Sequence, residues 1–329
     1  MKLSSSLELP SLETLQSAAT VISGAMRPTP QYTWPLLNQR TGTEVWVKHE
    51  NHSPVGAFKI RGAMVYMDWL TRTYPEVEGV VAATRGNHGQ AVGFAANRYG
   101  LKAIAAVPFG NSREKNRAML ALGMELIEHG EDFQAASEFA DDLSTARGFH
   151  RVPSFHQLLI NGTGTVGLEL LGGTPELDTV YVAIGLGSAI CGMMAARAGL
   201  NLKTRIVGVV AAASPSYAVS FREKRAVSCP AETQLADGLA CRVPNPEALQ
   251  LILNGVERIV EVTEKEIAAA MVALYEDTHN IAEGAGAAAL AGLMQEKDKM
   301  RGKGVGILLS GANVDRAVFT NVLESQFTT

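Results

Sequence analysis

The chain has 329 residues, of which 47% are hydrophobic and 19% charged, with a formal net charge of −4. That length and apolar fraction allow a large core and two lobes, and the charge balance offers no basic surface for nucleic acid. With no apolar run of about 18 residues and no charged-then-apolar leader, neither membrane insertion nor export is expected, and the chain reads as cytoplasmic. Cys191, Cys229 and Cys241 form an odd set without paired metal-ligand spacing, and they read as reduced thiols. The seven histidines are scattered, so no metal site is expected. Met1 to Ser6 is short and polar and is expected to be unstructured.

Short β-branched runs alternate with longer Ala-rich helical stretches. A first predicted strand, 45–48, leads through Asn51-His52-Ser53-Pro54 into Gly56-Ala57-Phe58-Lys59-Ile60-Arg61-Gly62-Ala63, which opens a helix. Strand 79–83, helix 87–99, strand 103–107, helix 112–122, strand 124–127 and helix 133–147 follow. After helix 162–171 come strand 179–184, helix 188–200, strand 205–210, strand 258–262, helix 263–277, helix 285–297 and strand 305–309. This order predicts an α/β fold with parallel-rich sheets covered by helices on both faces. No internal repeat or low-complexity linker interrupts it.

Lys59 is the most informative residue. The positive backbone end of a helix lowers a lysine's pKa, and the neutral amine is the form that condenses with an aldehyde. Taken alone, the same residue reads equally well as a solvated lysine. Three further segments follow predicted strands: Thr84-Arg85-Gly86-Asn87-His88-Gly89-Gln90, Gly185-Leu186-Gly187-Ser188-Ala189 and Ser310-Gly311-Ala312-Asn313. Glycine-bearing turns at strand ends expose N–H groups where α/β sheets place anionic ligands. The Gly185 turn suits a phosphate. It lacks the full G-x-G-x-x-G pattern, and Val207 to Ala213 ends in alanines where a dinucleotide site needs a ribose-binding acid. Alone, Ser310 reads as a turn serine and Glu283 as a helix-start carboxylate.

In this order the four segments resemble the serine/threonine dehydratase branch of the fold-type II pyridoxal-phosphate (PLP) enzymes, from about Thr29 to Asp315. The resemblance implies a two-lobe, tryptophan synthase β-like fold, with 55–147 a small inserted domain and 1–54 plus 148–329 the large PLP-binding domain. It implies PLP as cofactor, joined to Lys59, which also serves as the catalytic base. The cofactor contacts it implies are Phe58, Lys59, Asn87 at the 3′-oxygen, Gly185, Leu186, Gly187, Ser188 and Ala189 at the phosphate, Gly238, Glu283, and Ser310 at the ring nitrogen. Arg85, Gly86, Asn87 and His88 would hold the substrate's α-carboxylate. A serine cannot hold a formal charge on the ring as a carboxylate would, which suits β-elimination better than transamination. The implied reaction removes water and ammonia from a β-hydroxy-α-amino acid, L-threonine or L-serine, leaving a 2-oxo acid. The implied partners are that small amino acid and a second copy of the chain in a homodimer.

Several positions depart from the family. Arg85 stands where racemase relatives carry a serine, and arginine is a poor proton shuttle, so racemisation is not expected. A guanidinium suits a second substrate carboxylate, which keeps 3-hydroxyaspartate open; 3-phenylserine is a further alternative that no residue specifically favours. Leu186 and Ser188 replace glycines, and Ala57 replaces a serine. Val209 to Ser214 has no carboxylate for the family's divalent cation. No regulatory domain is expected after the Ser310 segment. Tyr217 and Ala236-Asp237-Gly238-Leu239-Ala240-Cys241 are expected near the substrate. From other classes, a non-catalytic PLP carrier and a nucleotide-binding oxidoreductase remain open.

Overall fold

Three of the four segments singled out above leave the C-terminal ends of parallel strands in one sheet, and the Arg85 segment leaves a strand of a second. The computed structural model describes residues 7–325; Met1 to Ser6 lies outside them. The strands are β1 (Gln31–Thr33), β2 (Glu44–His49), β3 (Gly79–Ala83), β4 (Lys102–Val107), β5 (Glu125–Glu128), β6 (His150–Arg151), β7 (Thr179–Ala183), β8 (Arg205–Ala211), β9 (Arg258–Val262) and β10 (Gly304–Leu309). Six form one sheet in the order β1-β2-β10-β7-β8-β9, and four form a second in the order β5-β4-β3-β6. Only β1 runs antiparallel to its neighbour.

Side chains alternate across each strand, so both sheets carry two apolar faces. In the large sheet Tyr181, Val207, Val209 and Ile307 enter one core, while Val180, Val182, Ile206 and Leu308 enter the other. In the small sheet Val80 and Ala82 face the core that includes Met64 and Met67, whereas Val81 and Ala83 face Ala140. β2 and β10 align from Gly304 opposite Glu44 to Leu309 opposite His49. The segments leaving these two strands therefore start side by side.

The Lys59–Thr73 helix lies between the sheets. Its Ile60, Ala63, Met64, Met67 and Leu70 fill the small sheet's core, and its other side crosses the Gln157–Gly172 helix. There a Cβ on Gly162 would lie 2.3 Å from the Arg61 carbonyl oxygen. Arg61 is fully buried. Its guanidinium donates to Glu50 (2.8 Å from both Nε and Nη2), Glu169 (2.6 and 2.7 Å) and Thr165 Oγ1 (3.0 Å). Lys48 adds an ion pair to Glu169 at 2.6 Å. Paired and fully hydrogen-bonded charge of this kind is the form in which burial is tolerated.

The elements that sequence reading missed are those fixed by pairing or packing. β1 and β6 are only three and two residues long, too short to show a period, and exist through β2 and β3. The Gln157–Gly172 helix starts before the predicted 162, capped by His156 Nδ1 accepting from Leu158 N at 3.2 Å. Its Gly and Thr content hid it, yet those small residues permit the close crossing. Helices Leu12–Ser23, Ser216–Glu223, Pro246–Gly255 and Arg316–Ser325 were also not foreseen. None of the described helices is long and apolar enough to cross a membrane.

The crossing yields a paired expectation. Gly162→Ala should destabilise the fold by about 1–3 kcal/mol, because the added methyl meets backbone. Gly172→Ala, with nothing within 4 Å of the added Cβ, should be neutral or stabilising by up to about 1 kcal/mol. Thermal melts that rank the two variants the other way would contradict the packing described.

Candidate active site

Lys59 is the first residue of its helix, as expected, and Phe58 takes the N-cap position. The Phe58 N–H donates to the Ser310 carbonyl at 3.0 Å, and the Ala312 N–H donates to the Gly56 carbonyl at 2.9 Å. Ala57 and Gly311 thus form a short antiparallel bridge between the end of β10 and the turn before Lys59. Ser53 Oγ clamps that turn from the other side, accepting from Ala57 N at 2.9 Å and donating to Ala57 O at 2.8 Å. The Lys59 amine lies 5.2 Å from the centre of the Phe58 ring. No other described side chain or carbonyl gives it a hydrogen bond or ion pair. Burial pulls its pKa down to about 8, with the Glu283 charge acting in the opposite direction. At pH 7 roughly a tenth of such an amine is neutral, against far less for an ordinary lysine.

Ser310, Glu283 and Asn87 gather beside it. Ser310 Oγ donates to the Ala285 carbonyl at 3.4 Å, and Glu283 N donates to the Gly311 carbonyl at 3.1 Å. Glu283 is the N-cap of helix Gly284–Gln295. Its Oε1 accepts from Asn87 Nδ2 at 2.5 Å, and Asn87 Oδ1 accepts from Asn313 Nδ2 at 2.8 Å. Burial raises the Glu283 carboxyl, and the nearby Lys115 ammonium opposes that rise.

The Arg85–His88 turn follows β3. Thr84 Oγ1 accepts from the N–H groups of Gly86 and Gly89, each at 2.9 Å. The N–H groups of Asn87 and His88 are left at the start of helix Asn87–Arg98, where an anion is favoured. Burial, helped by the charges of Lys59 and Arg151, lowers His88 to about 3, so its ring is neutral at ordinary pH. Its Nε2 is buried without a partner. Arg85 is exposed, has no hydrogen-bond or ion-pair partner among the described residues, and lines a cavity of about 270 Å³ with Ser112, Lys115, Asp237 and Glu283.

Gly185 to Ala189 joins β7 to helix Ser188–Gly199. Gly187 has φ +104°, a conformation that favours glycine. A Cβ on Gly185 would lie 2.4 Å from the Gly238 carbonyl oxygen, so the turn and Gly238 are packed backbone to backbone. The first bond back into the helix runs from Cys191 N to Gly187 O at 3.0 Å, which leaves the preceding N–H groups pointing out of the helix end. Tyr217 sits against this turn and donates from its hydroxyl to Leu186 O at 3.0 Å. Gly238 packs on Ala285, whose carbonyl receives Ser310 Oγ, and Ser310 in turn receives Phe58 N. Contacts therefore run unbroken from the anion-binding turn to Lys59.

Sequence reading missed Lys115 as a site residue. In Arg113-Glu114-Lys115 it reads as an ordinary solvated helix face, yet it is only 8% exposed and pairs with Asp237 at 3.0 Å and Glu283 at 3.5 Å.

An unpartnered amine, a cradle of N–H groups, a serine at a strand end and a second anion-binding turn form a donor set that fits PLP. The family model described as pyridoxal-phosphate dependent enzyme matches residues 22–311. The L-threonine ammonia-lyase of Geobacter sulfurreducens is 36% identical over 290 residues, 88% of this chain and 72% of that protein. The catabolic L-threonine dehydratase of Staphylococcus aureus is 31% identical over 319 residues, 95% of this chain and 92% of that protein. Among solved structures, the processed form of threonine deaminase isoform 2 from Solanum lycopersicum superposes with a TM-score of 0.86 at 27% identity, covering 98% of this chain and 98% of that one. With its fold, its donor set and these relatives in agreement, the chain belongs to the pyridoxal-phosphate dependent enzymes.

Proposed function

We propose that the protein is a dehydratase that converts L-threonine, or L-serine, to a 2-oxo acid and ammonia. The observation that carries this reading is the Lys59 amine, pKa-lowered and without a polar partner, on a helix start whose Phe58 N–H is bonded to the end of β10. Bound PLP supplies an aldehyde for the substrate's amine and a conjugated ring that withdraws electrons from its Cα. Lys59 would hold the cofactor, and the N–H groups from Gly185 to Ala189 would seat its phosphate. Ser310 Oγ, with one hydrogen bond to give or accept, would meet the ring nitrogen without charging it. The ring edge would lie against Asn87 and Glu283.

The chain's own groups then account for the reaction. The N–H groups of Asn87 and His88 bind the substrate α-carboxylate. Lys59, as neutral amine, takes the α-proton, and the β-hydroxyl departs as water; hydrolysis of the released enamine returns that water and frees ammonia. His88, with its pKa lowered to about 3, would be too weak a base to compete with Lys59 for that proton. We also propose that the small and large sheets are the cores of the two lobes that enclose the cofactor, and that two copies of the chain associate.

The loaded protein should release 2-oxobutanoate from L-threonine, and Lys59→Ala should lower the rate by about 10²–10⁴-fold or more. A loaded wild-type protein inert towards threonine and serine would defeat the proposal.

Arg85 favours a second reading. An exposed guanidinium with no partner among the described residues, lining the cavity beside the substrate turn, suits a substrate with a side-chain carboxylate, such as 3-hydroxyaspartate. If it reads that group, Arg85→Ser should cut kcat/KM for 3-hydroxyaspartate by about 10- to 100-fold and leave threonine nearly unchanged. An equal response to both substrates would exclude this reading.

A further inference from the structure

Lys115 is a buried cation that the reaction above does not use. Its helix, Arg113–Ala121, follows β4 of the small sheet, whereas Asp237 and Glu283 both belong to loops of the large sheet. Its Nζ lies 3.0 Å from Asp237 Oδ2 and 3.5 Å from Glu283 Oε2. The stem crosses the substrate turn so closely that a Cβ on Gly86 would lie 2.3 Å from Lys115 Cδ. Ser112 Oγ bonds Asp315, and Glu114 Oε1 accepts from Arg316 N at 3.1 Å, so neighbouring residues tie the same helix start to the segment after β10. Glu283 Oε2 is buried without a hydrogen-bond partner and faces the Lys115 ammonium at 3.5 Å, while Oε1 accepts from Asn87 Nδ2 at 2.5 Å.

We propose that Lys115 is a positioning residue that keeps Glu283 ionised and, through Glu283, fixes the Asn87 amide between the substrate turn and the ring site. This inference deepens the proposed function and rests on it. The charged groups facing Glu283 are Lys59 from its helix, Lys115 from its own, and Asp237 from the Asp237–Leu239 turn. Lys59 is committed to the cofactor. Lys115 is then the one cation among these groups free to balance two carboxylates. Burial works against its ammonium, but Glu283 and Asp237 outweigh burial and raise its pKa. Without it, a carboxylate buried to 4% exposure faces Asp237 with no dedicated counter-ion, and proton uptake by Glu283 is the cheaper state. A protonated Glu283 still bonds Asn87, but as a weaker acceptor.

The test compares the PLP-loaded wild type with Lys115→Met, Lys115→Arg, Glu283→Gln and the Lys115→Met/Glu283→Gln pair. Infrared spectra at pH 7 report protonated carboxyl groups, and pH profiles of kcat/KM on L-threonine report the ionisation that catalysis needs. Lys115→Met should show a protonated-carboxyl band that the wild type, Lys115→Arg and the double variant lack. Its acidic limb should move up by about one pH unit or more, the usual effect of losing a close opposite charge. A Lys115→Met protein with no such band and an unshifted limb, merely less stable, would overturn the proposal. If Lys115→Met does not fold, the double variant should, because the uncompensated carboxylate is gone; failure of both, with Glu283→Gln folded, would also overturn it. Wild-type protein inert on threonine would defeat the proposed function, and the infrared comparison would still decide the role of Lys115.

Discussion

The site depends on strands β2, β10 and β7 lying side by side and running the same way. Parallel pairing brings their C-terminal ends to one edge, and the turns that follow must share that edge. The Phe58 N–H to Ser310 carbonyl bond turns this proximity into registration. It fixes the first turn of the Lys59 helix to the end of β10, while Gly238 and Ala285 connect β10 to the turn after β7. The Lys59 amine, the Ser310 hydroxyl and the Gly185–Ala189 turn, distant in sequence, thus become neighbours through backbone contacts, which substitutions of side chains elsewhere cannot easily disturb.

The same helix carries two cations with opposite fates. Arg61 is saturated by Glu50, Glu169 and Thr165 and stays charged, tying the helix to its neighbours. Two residues earlier, Lys59 meets no carboxylate at bonding distance among the described residues and loses basicity through burial. Reactivity follows from that contrast: a buried amine deprived of partners is the one available to an aldehyde. Lys115 completes the pattern, because it pairs with Glu283 at 3.5 Å, whereas Lys59 makes no ion pair among the described residues.

Much of this was legible in the sequence because turns are local. Gly187, Gly86 and the start of the Lys59 helix announce themselves through glycine content and position after a β-branched run, and the α/β alternation follows from period alone. Pairing-dependent features were not legible. β6 is two residues whose strand character comes from Val80 and Val81 of β3. Lys115 looks like any charged helix residue until Asp237 and Glu283 arrive from far along the chain. The bond from the Tyr217 hydroxyl to Leu186 O joins residues 31 apart in the chain and was equally hidden. The Thr84 cap of the Arg85–His88 turn was likewise invisible, since a threonine at a strand end has many uses.

The central claim is that the amine at position 59, and no other, forms the covalent link to the cofactor. Borohydride reduction of the PLP-loaded protein, followed by proteolysis and peptide mass mapping, tests it directly. A pyridoxyl-phosphate adduct on Lys59 alone is the expected result. An adduct on another lysine, with Lys59 unmodified, would contradict the account.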